Sequence, residues 1–311
     1  MSTAAAASAG RRVTIAAPWL MVLASLLFAL MGVCVKFASA DYSAGELVFY
    51  RSLTGLVLMA GALRLRGMSW RTRVPAMHLW RSVCGTTALC LWFYAIGVLP
   101  LATAMTLNYM APVWIALFLM GGAMLLGPGK TGVDGRVVMA VLAGFAGVML
   151  VLRPTVQQEQ LWGGLIGLLS GMVAAIAYLQ VSALGRIGEP TERVVLYFSV
   201  SGVVAGSALT PFMGGPHGHT LRGAGLLLAI GVLATAAQWL MTRAYATGAT
   251  LGIAALQYLG IAYAFGFGVW LFDDPVTPQA LAGMALIVAA GVAATQLRGR
   301  APAADASPTE T

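Results

Sequence analysis

VFYRSLTG, residues 48–55, returns in altered form as VLYFSVSG, residues 195–202. Val48, Tyr50, Ser52 and Gly55 are identical to Val195, Tyr197, Ser199 and Gly202, at an offset of 147. Working outward, Val83, Thr86, Ala88, Leu91 and Ala95 match Val232, Thr235, Ala237, Leu240 and Ala244 at an offset of 149. The same offset lays Asn108-Tyr109 over Gln257-Tyr258, and at 144 Gly147-Val148 falls on Gly291-Val292. Apolar helices match one another often by chance. A collinear series at nearly constant offset marks an internal repeat instead.

The repeat sits in a chain of 311 residues that is 59% hydrophobic and only 9% charged, with a mean hydropathy of +0.86. A soluble domain carries about 25% charged residues, and a disordered chain carries more charge and less apolar matter. Both classes are excluded. Ten apolar segments are legible, at about 18–39, 43–63, 75–97, 100–126, 132–152, 161–184, 191–211, 222–247, 249–272 and 277–297. Each suits the roughly 20 residues that a membrane-spanning helix needs. The fold class expected is an all-α membrane protein of ten transmembrane helices. Residues 18–152 form one repeat and 161–297 the other. Five spans per repeat is an odd number, so the second copy enters the membrane in the opposite sense. Inverted-topology repeats of this kind belong to secondary transporters working by alternating access.

Charge placement sets the orientation. With the first residues inside, twelve of the eighteen basic residues lie at the inner ends and only Arg153 and Arg222 outside. That bias predicts cytoplasmic tails at 1–17 and 298–311, the latter disordered. The net charge of +8 then serves topology and anionic lipid, with no need of a nucleic acid. Arg11-Arg12 followed by an apolar stretch and Ala38-Ser39-Ala40 has the outline of a cleaved signal. The stretch is too long, however, and cleavage would leave the sixth span without its repeat partner. Cys34, Cys84 and Cys90 lie in apolar blocks with no CxxC and suit small buried hydrophobes. His217 and His219 are too few for a metal site. No Walker loop, HExxH or GxSxG occurs, so no metal, cofactor or catalytic role is expected.

The stretch FYAIGVLPLATAMTLNYMAPVWIALF, residues 93–118, resembles the EamA type of the drug/metabolite transporter superfamily. It has the Leu99-Pro100-Leu101 turn, the alanine-rich start Ala102–Ala104, and Pro112 one turn past the polar residues. Phe272-Asp273-Asp274-Pro275 is similar to the family's acidic turn before the last span. Glu46 with Arg51 and His78 with Arg81 look like a narrower pattern, that of S-adenosylmethionine uptake proteins. The resemblance implies a cavity lined by spans 3, 4, 8 and 9, with spans 1, 2, 6 and 7 around it. It sets spans 5 and 10 apart as a structural face or a homodimer contact.

Polar residues deep in a bilayer are costly and are functional candidates by default. Asn108-Tyr109 and Gln257-Tyr258 lie near the middle of their spans and offer amide donors and acceptors beside phenol rings. They are the expected substrate-binding residues, with interhelical hydrogen bonding as the plainer alternative. Trp92, Gln238, Trp239 and Tyr178 are secondary candidates. Pro112 would disturb the bond to the Asn108 carbonyl and offer it to a ligand. Its repeat counterpart is Ile261, so this break is expected in one half only. Arg51 reads as the deepest charge, binding a carboxylate or closing an outer gate with Glu46. Arg81, a third gate candidate, lies nearer the inner end, where it can snorkel. Lys36 and Arg243 read as anchors.

The expected function is transport of a small organic metabolite across a bacterial-type inner membrane, amino-acid-like or nucleoside-like, with export the direction implied by the resemblance. Uptake of S-adenosylmethionine or a similar zwitterion is the second transport reading. An intramembrane enzyme or lipid-headgroup handler is the reading from another class, and it lacks a catalytic pair. No carboxylate lies at mid-membrane to carry a coupling proton.

Overall fold

A computed structural model describes residues 16–99, 101–126, 135–152, 161–272 and 277–296. Both tails, Pro100 and the Asp273-Asp274-Pro275 turn lie outside the described residues. The described residues form a short 3-10 turn at Thr210–Met213 and twelve α-helices. They are α1 (Ala17–Ala38), α2 (Ala44–Leu65), α3 (Pro75–Val98), α4 (Leu101–Asn108), α5 (Ala111–Leu126), α6 (Gly135–Leu152), α7 (Leu161–Arg186), α8 (Thr191–Leu209), α9 (Leu221–Thr247), α10 (Thr250–Leu256), α11 (Leu259–Phe272) and α12 (Pro278–Gln296). Among the described residues, seven helical stretches are long and apolar enough to cross a membrane.

The ends follow local chemistry. Ser43 caps α2 in a capping box with Glu46, and the Thr220 hydroxyl accepts from Gly223 at the start of α9. Gly67 and Gly188 take positive φ just past α2 and α7. There Met68 N–H bonds Leu63 O and Glu189 N–H bonds Leu184 O, which closes both helices in Schellman fashion.

Two expected single spans are each two helices. The span at 100–126 breaks at Tyr109-Met110, and the span at 249–272 breaks at Gln257-Tyr258. The expectation of a break in one half only is therefore corrected. In the second half Gln257, Tyr258, Gly260 and Ile261 each donate to the carbonyl three residues back, so the helix tightens and re-starts without a proline.

The helices pack chiefly in pairs: α1 with α9, α3 with α7, α2 with α8, and α6 with α12. The opening repeat lies at the heart of one pair. A Cβ on Gly202 would fall 2.1 Å from Ser52 Oγ, and one on Gly55 would fall 2.7 Å from Ser199 Oγ. Each copy of the Ser-x-x-Gly pattern thus fits its serine into the other copy's glycine notch. Farther along, Gly206 abuts Phe49 and Gly45 abuts Thr210. One number falls as the other rises, so α2 and α8 run antiparallel. Small residues let backbones approach this closely, where van der Waals packing must hold helices together in lipid. On α7, Gly163, Gly167 and Gly171 serve the same purpose against Leu99 and Leu107.

Candidate functional site

The packed helices leave a cavity between them. Arg51 enters from α2, Arg81 and Trp92 from α3, Asn108 and Tyr109 from the end of α4, and Tyr178 from α7. Phe198 comes from α8, Gln238 from α9 and Gln257 from the end of α10. Eight of the residues singled out in the sequence thus meet on one space. Helices of the second, sixth and seventh spans reach it too, beyond the four spans that the family resemblance implies. The two helix breaks face it with Asn108 and Gln257. Between Leu107 and Met110, and between Ala254 and Gly260, the shortened hydrogen-bond steps turn these amides inward.

The other candidates lie elsewhere. Tyr258 is fully buried with its ring where a Cβ on Gly144 of α6 would go, 2.7 Å away, and so faces α6 instead of the cavity. Pro112 does not line the cavity either. The Leu107 and Asn108 carbonyls at the break lie against Gly171, where a Cβ would approach them to 2.5 and 2.9 Å. The carbonyl that the proline frees is therefore aimed at α7 and not at a ligand.

Glu46 is also removed from Arg51. Its carboxylate accepts from Ser43 N at 2.9 Å and from His217 N at 2.8 Å, and His217 Nδ1 lies 2.7 Å away. A Glu46–Arg51 gate is corrected on that ground. Five residues apart on a helix, the two side chains point to different faces, and Glu46 is held by its own cap and the 214–220 loop. Beside it His219 Nε2 lies 2.7 Å from Tyr50 Oη.

Arg81 is corrected in the opposite sense. It does not snorkel: it is 2% exposed, and its Nη1 occupies the space of a Gly85 Cβ, one turn deeper along α3. Arg51 is 5% exposed. Both guanidinium carbons sit over the Phe198 ring, at 5.1 and 4.4 Å from its centroid. Such contacts contribute about 2 kcal/mol when desolvated. Two like charges over one ring repel each other. Arg51 Nη2 has one long bond, 3.5 Å to Gln238 Oε1. Arg51 Nε, Arg81 Nε and Nη1, and Trp92 Nε1 have no hydrogen-bond partner, and the residues lining the cavity include no Asp or Glu. Asn108 Nδ2 donates to Ser170 Oγ at 3.1 Å, and Gln257 Nε2 lies 3.6 Å from Met241 Sδ.

Phe198 was legible only through the repeat. It stands at the position of Arg51 in the second copy. The crossing of α2 and α8 at this motif brings its ring within 5.1 Å of the Arg51 guanidinium carbon.

The end of the bundle around residues 66–74 and 187–193 is tied by ions. Arg66 pairs with Glu192, which also accepts from Trp239 Nε1 at 3.1 Å. Glu189 Oε1 lies 2.9 Å from both His78 Nε2 and Arg193 Nη1. Burial pushes the Glu189 carboxyl up, but hydrogen bonds from Arg193, His78 and Thr72 outweigh it and hold its pKa below the usual carboxylate range. A depressed carboxylate stabilises the fold above its unfolded pKa of about 4.3 and loses that contribution as pH falls through the folded value. Melting in detergent from about pH 6 down to about pH 3, a window that brackets the loss below the unfolded carboxylate pKa, is expected to show the wild type losing stability relative to Glu189→Gln. Parallel curves would refute the contact's role. Elsewhere, Lys36 Nζ donates to Ile96 O and Leu99 O, tying α1 to the end of α3.

With the site described, its relatives can be placed. Residues 15–153 match the model of the EamA-like transporter family. The pseudopaline exporter CntI of Pseudomonas aeruginosa is 34% identical over 281 residues, covering 90% of this chain and 95% of that protein. The chain belongs to the EamA-like transporter family. An uncharacterized transporter of Helicobacter pylori is 28% identical, covering 88% of this chain and 92% of its own. A riboflavin transporter of Vibrio cholerae is 25% identical over 73% of this chain. One solved crystal structure shares the fold, with a TM-score of 0.74 over 92% of this chain at 20% identity. This family member is a multi-pass membrane protein whose relatives are transporters.

Proposed function

We propose that the chain is a secondary transporter that exports a small organic metabolite across the inner membrane by alternating access between two inverted five-span repeats. The observation that carries this reading is the central cavity, to which the first half contributes two arginines and both halves contribute amide and aromatic side chains. The pairing of helices supports the inverted architecture. Exchanging the halves turns the α1–α9 pair into α7–α3 and returns α2–α8 and α6–α12 to themselves. Broken helices at matched places beside the cavity suit this class. The relative named as an exporter supports the direction. The basic bias of residues 64–73 and 186–193 supports placing that end, and both chain termini, in the cytoplasm. Uptake of S-adenosylmethionine suits the cavity less, because a sulfonium cation would meet two unpaired guanidinium groups.

Labelled-metabolite flux into inside-out vesicles, compared with vesicles lacking the chain, tests the reading. Absence of flux across an amino-acid and nucleoside panel would sink it. The Arg66–Glu192 pair supplies a second test. Arg66→Cys with Glu192→Cys, joined by a short cleavable bis-maleimide, is expected to stop flux, and cleavage of the linker to restore it. Undiminished flux in the linked protein would exclude movement at that end.

A further inference from the structure

We infer that the transported metabolite carries two carboxylates, received by Arg51 and Arg81 in a cavity whose described lining holds no Asp or Glu. The inference rests on the carrier reading and names its substrate class. Its grounds are charge and hydrogen-bond direction. The two guanidinium groups come from different helices and share Phe198, a ring that holds them without neutralising them. A buried charge left without a counter-ion is costly, and one partner acid would balance only half of what the cavity holds. The fully buried side-chain atoms of the lining residues that lack a partner are all donors: Arg51 Nε, Arg81 Nε and Nη1, and Trp92 Nε1. A ligand rich in acceptors satisfies them, and guanidinium forks match carboxylates in geometry. Gly85 completes the arrangement. Its missing Cβ is the space in which the Arg81 fork turns toward the middle of the helix instead of its end. Asn108, Gln257 and Tyr178, also in the lining, meet whatever amine or ring the metabolite adds.

A consequence follows for the driving force. A net anion moving outward is favoured by an inside-negative membrane potential, so export needs no proton-carrying carboxylate in the bilayer.

The test is binding to the purified full chain in nanodiscs, read by calorimetry and by thermal shift. The probes are succinate, glutamate and adipate, each with its mono-amide: succinamate, glutamine and adipamate. At least one diacid is expected to bind ten times or more tighter than its mono-amide. That preference should disappear in both Arg51→Gln and Arg81→Gln. Gly85→Ala, which keeps both charges but displaces one, should reduce it. Three results would overturn the proposal: no diacid preferred over its amide, a preference that survives both arginine variants, or chloride or methyl phosphate protecting the protein as well as any diacid. The last result would make the site one for a single simple anion. Flux measured in the same preparation separates the two readings. Diacid binding without flux removes the carrier and keeps the site. Flux of the amides alone keeps the carrier and removes the diacid.

Discussion

Gly206→Leu is expected to leave little folded protein, while Gly61→Leu in the facing helix melts near the wild type. A Cβ on Gly206 would lie 2.6 Å from the Phe49 amide nitrogen and 2.7 Å from its Cα. The opposing atoms are backbone, so no rotamer change relieves the clash. The α2 and α8 helices must separate, and with them go the neighbouring fits of Ser52 into Gly202 and Ser199 into Gly55. Overpacking a well-filled interior costs typically 1–3 kcal/mol. Here several close approaches are lost together, so about 3 kcal/mol or more is expected, a midpoint lowered by roughly 10 °C. Gly61, inside the facing helix, has nothing within 4 Å of its Cβ position, so it controls for the helix propensity of a Gly→Leu change. Tryptophan-fluorescence melts in detergent read both variants. Equal midpoints would show that the α2–α8 contact is not a main support of the fold.

Gly85→Ala is expected to do the reverse, sparing the fold and impairing transport. The added methyl would meet Arg81 Nη1 at 2.0 Å and Phe198 Cε2 at 3.1 Å. The first is the far end of a flexible side chain, so it moves; the ring need give only a few tenths of an ångström. An interior Gly→Ala change favours the helix by about 1 kcal/mol, which offsets the strain. Stability should hold, but the guanidinium leaves its place over Phe198. Losing one charge-assisted contact lowers affinity by about tenfold or more. Flux should fall by that factor at low substrate and recover partly at high substrate. Unchanged flux with a normal melt would show that the position of Arg81 does not matter to transport.

Most of the helical layout was legible in the residues. Apolar blocks bounded by Arg, Gly and Pro predict spans that agree with the observed helices to within a few residues, because in lipid every backbone group must be bonded within its own helix. The cavity was partly legible. Asn108, Gln257, Gln238, Trp92, Tyr109 and Arg51 stood out as polar or aromatic groups at membrane depth, where a reason is required. Three matters escaped. The break at Gln257-Tyr258 has no proline to announce it. Glu46 was drawn to Arg51 by proximity in sequence, although His217, 171 residues away, holds it. Arg81 looked like an anchor because span depth was judged from its Cα, and a side chain that long can turn either way.

By itself, the sequence determined that this chain belongs in a membrane, that it carries one motif twice, and which polar groups within its apolar blocks demand an explanation. Hydropathy, charge bias and a repeated motif are properties of order along the chain, and the bilayer turns them directly into spans. The tertiary structure decided which of those groups share a space, and that two arginines do so with no acid beside them. That depends on which way side chains turn and what the facing helix leaves open. Here the missing methyl group of Gly85 and the ring of Phe198, far apart in sequence, set the outcome.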